Sequence, residues 1–335
     1  MPAPVLVTGA NGFLGRHLVA ELLRRNYRVR VLARPETGQV GRPILPSLKT
    51  LPVEYYEGDL TRPATVAGAA DGCGAVIHAA ALAQVNPARN PAVWAVNDAG
   101  TATVLDLAQR AGVARFVYVG TANVFGFGSR QQPGDETRPF RGQRYGLDYM
   151  DSKLAATTRV QRAVAEWQLP AVLVHPTFML GPGDAKPTSN ALLLELFRGQ
   201  LPGYPAGGKN YVHVADVAVA TINALKMGRV GESYILGHAN LSYEEAFSLM
   251  TSVMNVPAPR WPVPASLARL YGVACDWQTR LRQRPARLNS GMVAVANDGH
   301  YFSSQKAIRE LGLPQTAIEQ AIAEAFEWFK SNNYV

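Results

Sequence analysis

The stretch TGANGFLG at 8–15 constrains this chain more than any other, because few backbones accommodate it. It follows the apolar run PVLVTG at 4–9 and leads into FLGRHLVAELLRR, whose apolar residues recur at helical spacing. A glycine-rich turn between a strand and a helix predicts the phosphate-binding corner of a dinucleotide fold. In that geometry Gly9 makes the tight turn, Gly12 lets the backbone approach a pyrophosphate, and Gly15 lets helix and strand pack closely. Asn11, Phe13 and Leu14 complete the loop and first helical turn, where N–H groups and helix dipole attract negative phosphates.

The first half of the 335-residue chain repeats that alternation. Strands are expected at 4–9, 28–34, 53–59, 75–81, 115–121 and 170–176, with helices at 12–25, 93–111 and 148–167. Several strands are near-continuous apolar runs, as strands buried on both faces should be. The fold class is therefore α/β: a doubly wound parallel sheet of the Rossmann type, with a smaller α/β C-terminal substrate lobe. Residues 1–176, joined by roughly 211–228, are read as the cofactor lobe, because NYVHVADVAVATINAL reads as a strand and a helix returning to it. Residues 177–210 and 229–335, punctuated by proline and glycine, are read as mainly the substrate lobe. Two late helices carry capping-box starts, Ser242 with Glu245 and Thr316 with Glu319.

Thirty-three Lys and Arg against 25 Asp and Glu give a net charge of +8, yet the basic residues are scattered, which argues against a nucleic-acid partner. The densest group runs from Arg260 to Arg287 with Asp276 as its lone acid. It reads as a solvated or oligomer-facing helix, or as a contact with an anionic substrate or membrane. Cys73 and Cys275 lie far apart without metal-ligand spacing, so no metal site is expected. Without an export signal or a spanning apolar segment, the expectation is a cytoplasmic enzyme with a small-molecule substrate and no stable membrane insertion.

Nicotinamide selectivity is legible where the second strand ends. An acid there would hold a ribose 2′-hydroxyl, but Ala33 occupies the position and Arg34 follows, so NADP(H) is favoured over NAD(H). The chemistry is sought in YMDSK at 149–153, where Tyr149 and Lys153 share one helix face. Thr121 ends the fifth strand, so all three gather at the sheet's C-terminal edge. A phenol with a pKa of about 10 exchanges protons poorly near neutrality. A neighbouring ammonium and an oxidised nicotinamide ring would lower it. Tyr145 is a rival without a lysine four residues on.

These residues carry a resemblance across nearly the whole chain. TGANGFLG, GDL at 58–60, HAAA at 78–81, NDAGT at 97–101, GTANVFG at 120–126, YMDSK and HPTFMLGPGD at 175–184 resemble, in order, the signatures of the extended short-chain dehydrogenase/reductases, the NAD(P)-dependent epimerases and dehydratases. Later segments are most similar to the dihydroflavonol reductase-like branch, which includes hopanoid-associated sugar epimerases. The resemblance implies that Thr121, Tyr149 and Lys153 are the catalytic set, and that Asn97 supports the active-site helix and its proton relay. It implies that Lys153 also holds the cofactor ribose, that Asp59 and Leu60 flank the adenine, that Ala79 and Ala80 line the cofactor, and that Pro176 and Thr177 border the nicotinamide. It further implies a homodimer. Two departures count against a nucleotide sugar: Lys209-Asn210 replaces an Arg-Asp pair, and Ala33 replaces an acid. Ala122, where dehydratases carry an acid, counts against dehydration. The favoured reading is an NADP(H)-dependent ketone or aldehyde reductase; the alternative is a redox-neutral NAD-dependent epimerase or dehydratase.

Overall fold

The computed structural model describes residues 3–34, 48–84, 89–282 and 288–335. Its largest unit is a sheet of seven strands: β1 (Val5–Thr8), β2 (Val29–Ala33), β3 (Glu54–Glu57), β4 (Ala75–His78), β5 (Arg115–Val119), β6 (Ala171–Pro176) and β10 (Ser233–Leu236). A second sheet joins β7 (Phe178–Leu180), β9 (Gly208–His213), β11 (Ala239–Ser242) and β13 (Gly299–His300). A small ribbon pairs β8 (Gly203–Tyr204) with β12 (Trp261–Pro262). The cofactor lobe carries α1 (Phe13–Arg24), α2 (Pro91–Trp94), α3 (Gly100–Ala111) and α4 (Asp148–Trp167). After it come α5 (Ala191–Phe197), α6 (Val214–Met227), α7 (Tyr243–Met254), α8 (Ala265–Arg282), α9 (Ser290–Asn297), α10 (Gln305–Leu311) and α11 (Ile318–Ser331).

All neighbours in the main sheet run parallel, in the order β10-β6-β5-β4-β1-β2-β3. The chain builds outward from β1 through β2 and β3, then crosses back to lay β4 on the other side. That reversal opens a crevice at the C-terminal ends of β1 and β4, where a doubly wound sheet takes its ligand. Thr8 and His78 are register partners there.

Burial explains why the apolar runs become strands. Every residue of β1, β6 and β10 is buried, so each needs cover on both faces. On one face Leu14, Leu18 and Leu22 of α1 meet Val217 and Ile222 of α6; on the other, Val104 and Leu105 of α3 meet Ala156 and Val160 of α4. Gly12 caps α1 without a side-chain hydrogen bond. That omission forgoes only roughly a few tenths of a kcal/mol. The three buried leucines contribute roughly 2 kcal/mol each, so burial holds the helix and its first-turn N–H groups stay open to a ligand.

Four local readings need adjustment. The seventh strand comes from SYIL at 233–236, inside the range read as mainly second lobe, and pairs with β6. The helix expected at 93–111 is interrupted at Ala95–Ala99 by a π-helical turn, a feature common at functional sites. The capping box at Ser242 and Glu245 forms, but the one at Thr316 and Glu319 does not. Asp216 takes both the backbone N–H and the hydroxyl of Thr316, so a tertiary partner outcompetes the local cap. The segment 211–228, read as joining the cofactor lobe as a whole, divides instead: β9 stays in the second sheet, and only α6 packs on α1.

Candidate active site

The phosphate turn is built from backbone that tolerates no side chain. Gly9 has φ +72°, and a Cβ on it would lie 2.6 Å from the Ala80 Cα. A Cβ on Gly15 would lie 2.0 Å from the Gly9 carbonyl oxygen, so glycine there lets α1 sit against the turn. The opposite wall is Ala79 and Ala80, whose N–H groups donate to the Thr8 carbonyl (3.3 Å) and hydroxyl (3.2 Å). Asn11 and Gly12 are exposed and Phe13 is half-buried at the rim, whereas the Leu14 side chain turns into the core. No acid occupies the first turn of α1. A cradle that any side chain would fill, facing an uncapped helix N-terminus, fits a dinucleotide pyrophosphate.

The C-terminal ends of β2 and β3 bring Ala33, Arg34 and Asp59 together. Ala33 is buried and Arg34 exposed. The Asp59 carboxylate accepts from the Thr61 N–H (2.9 Å) and hydroxyl (2.8 Å). Burial pushes the Asp59 carboxyl up; the Thr61 hydrogen bonds and the nearby Arg34 and Arg62 outweigh it and hold the group below its ordinary value. Leu60 is packed in the core beneath them.

Thr121, Tyr149 and Lys153 meet at the C-terminal end of β5. Thr121 leaves the strand in extended conformation and its hydroxyl accepts from the Asn123 N–H, fixing the rotamer. It faces the Tyr149 phenol. Burial raises the Tyr149 pKa above 10, and the Thr121 hydroxyl pulls the other way by favouring the phenolate. Lys153 is 2% exposed, donates from Nζ to the Val119 carbonyl (2.7 Å) and lies over the Tyr118 ring. Burial pushes its pKa down to about 7. At Tyr149 desolvation outweighs the Thr121 hydrogen bond, and the Lys153 ammonium is engaged with a backbone carbonyl.

The π-helical turn aims Asn97 inward. Its side chain accepts from the Leu82 N–H (2.8 Å) and donates to the Leu82 carbonyl (3.3 Å) and the Ser152 hydroxyl (3.1 Å). Ser152 in turn donates to the Tyr149 carbonyl (3.0 Å), so Asn97 positions the helix that carries Tyr149 and touches neither hydroxyl of the pair. A second chain of hydrogen bonds escaped the sequence reading. His78 Nδ1 pairs with the Thr8 hydroxyl (2.7 Å), its Nε2 with the Thr101 hydroxyl (3.0 Å), and Thr101 donates to the Asn97 carbonyl (2.6 Å). The phosphate turn and the π-turn are thereby joined through the sheet. The signal was present in HAAA, as a histidine ending an otherwise apolar strand. Asp148, also unremarked, accepts from Arg89, the Asn90 N–H and Trp94.

Beyond the sheet edge, Pro176 is buried at the end of β6 and Thr177 donates to Asn210 (2.8 Å). Asn210 also engages His238, Asn240 and Phe302, so a neutral hub stands where the resembled epimerases carry an acid. Lys209 lies over the Phe178 ring with its pKa pushed down to about 8 by burial. Tyr145 is committed elsewhere: its hydroxyl donates to Asp298 (2.6 Å), and burial raises its pKa. Around Tyr149 the wall is apolar, with Phe127, Phe140, Leu147, Met150 and Met292. His78, His175 and His300 are each pushed down to about 3 by burial and are uncharged at neutral pH. They offer no proton to a reacting oxygen there; a phenol does.

A sequence model of the NAD dependent epimerase/dehydratase family matches residues 5–237, which takes in the turn, the trio and the seventh strand. The chain belongs to that family. Family membership makes it an NAD(P)-dependent enzyme with a nicotinamide dinucleotide cofactor, and the cradle described above fits that group. A Synechocystis protein provisionally named dihydroflavonol 4-reductase is 32% identical over 98% of this chain and 95% of its own. A Mycobacterium tuberculosis protein named 3 beta-hydroxysteroid dehydrogenase/Delta 5-->4-isomerase is 30% identical over 98% of this chain and 90% of its own. The crystal structure of gox2253 superposes with a TM-score of 0.85 at 31% identity, covering 98% of both chains. This family member thus has the extended short-chain dehydrogenase fold over its described residues.

Proposed function

We propose that this protein is an NADP(H)-dependent reductase of a ketone or aldehyde carried on a small, largely apolar molecule. The observation that carries this reading is the Tyr149 phenol, kept protonated by burial, paired with Thr121 and enclosed by apolar side chains. When bound, the cofactor supplies the hydride that reduces the carbonyl carbon. Tyr149 Oη then donates its proton to the carbonyl oxygen as negative charge develops there, which general-acid catalysis rewards by about two to four orders of magnitude. The Thr121 hydroxyl orients the same oxygen and favours the phenolate left behind. Lys153, one turn on, would hold the cofactor ribose. The Asn97–Ser152 pair fixes the start of α4 so that the phenol stays aimed.

Arg34 without an acid at Ala33 supports NADP(H), since a guanidinium pairs well with a 2′-phosphate. The apolar wall supports an apolar substrate, and the two named relatives, a reductase and a steroid dehydrogenase, are consistent with it. The test is cofactor consumption with a panel of carbonyl compounds. Oxidation of NADPH with stoichiometric alcohol supports the proposal. Tightly retained NAD, with a nucleotide sugar isomerised and no net cofactor consumed, would establish the epimerase reading instead.

A further inference from the structure

Helix α8 turns an apolar stripe outward. Leu270, Ala274, Trp277 and Leu281 recur at intervals of four, three and four residues and line a shallow groove with Val273. Leu270 is 68%, Trp277 60% and Leu281 79% exposed, and Leu267 and Tyr271 widen the stripe. The opposite side of the helix is the one that packs: Gly272 and Cys275 are buried, and a Cβ on Gly272 would lie 3.0 Å from the Ser290 Cα of α9. So many exposed large side chains on one helix mark a contact surface.

Charge decides what kind of surface it meets. Between positions 260 and 287 the sequence holds six arginines and one acid, Asp276; Arg260 and Arg269 lie on the described part, and positions 283–287 lie outside it. A two-fold contact with a second copy would set the same patch against itself and bring the arginines of both copies together. An anionic lipid surface receives them favourably, at about 1 kcal/mol per arginine. Trp277 and Tyr271 have the amphipathic rings that settle at headgroup level. No described helix is long and apolar enough to cross a membrane, so a contact made by α8 lies in the plane of the interface.

We infer that the outward face of α8 docks on an anionic lipid bilayer. The inference stands apart from the reductase reading, though the two meet in space. Helix α8 packs on α9, and α9 supplies Met292 and Val295 to the apolar wall beside Tyr149. Docking therefore sets that wall close to the bilayer, a source of apolar substrates.

The test is co-sedimentation of the full chain with phosphatidylcholine vesicles, with and without phosphatidylglycerol. Binding to the anionic vesicles that weakens with salt, and that falls about ten-fold in Leu270→Glu/Trp277→Glu with an unchanged thermal midpoint, supports the inference. Should that variant fail to fold, a blue shift of tryptophan emission on anionic vesicles, lost in Trp277→Ala, gives the same support. Three results overturn it: no binding to either vesicle, binding unaffected by these substitutions, or a dimer in solution that the double variant separates.

Discussion

The two lobes specify their geometry by different means. At the phosphate turn, single residues dictate the backbone: Gly15 cannot carry a Cβ because the Gly9 carbonyl would lie 2.0 Å from it. In the second lobe, position is set by partners far away in the chain. Asn210 is fixed by His238, Asn240 and Phe302, and Asp298 reaches back 153 residues to Tyr145. The first kind of constraint can be read from spacing; the second waits for the fold.

The sharpest way to break this contrast is to give the turn a side chain. Gly15→Ala should destabilise the chain by about 3 kcal/mol and abolish cofactor binding, because the clash is with backbone and cannot be relieved by a rotamer. Chemical denaturation and cofactor titration measure both, and a variant as stable as the parent would refute the steric reading.

Comparable in size is a pH effect on Lys153. Its pKa is about 7 folded and near 10.5 unfolded, so between those values the unfolded chain binds the extra proton and stability rises with pH. The gain amounts to at most about 5 kcal/mol across the window. Lys153→Met should be flatter than the parent over that range in denaturation curves; parallel curves would contradict the burial assigned to the ammonium.

Smaller again is Arg34→Ala, expected to weaken NADPH by roughly ten-fold and leave NADH unchanged, as losing one charge-assisted contact to a 2′-phosphate would. Equal affinities for the two cofactors in the parent chain would sink it. Asp298→Asn, in the second lobe, should cost only about 1 kcal/mol, since Asp298 and Arg144 are partly solvated. A loss of several kcal/mol would place that lobe under the same strict control as the turn.

How much was legible follows the same division. The glycine turn, six of the seven strands and the spacing of Tyr149 and Lys153 could be read directly, because each is a local pattern with one backbone solution. The strand Ser233–Leu236 looked like part of a second lobe, since a run of four residues does not announce which sheet it joins. The link from Thr8 through His78 and Thr101 to Asn97 spans 89 residues, and no sequence period encodes it. Thr316 illustrates the reverse error, a correct local motif overruled by Asp216. At Tyr149, proximity of a lysine was legible, but the commitment of that lysine to the Val119 carbonyl was not.

The central claim is that Tyr149 gives up a proton to a substrate oxygen. Its most direct test is NADPH oxidation against a panel of apolar carbonyl compounds by the parent and by Tyr149→Phe, with cofactor affinity measured in both. A loss of about two to four orders of magnitude in kcat, with NADPH binding retained, is the predicted result. Unchanged turnover in Tyr149→Phe would contradict it.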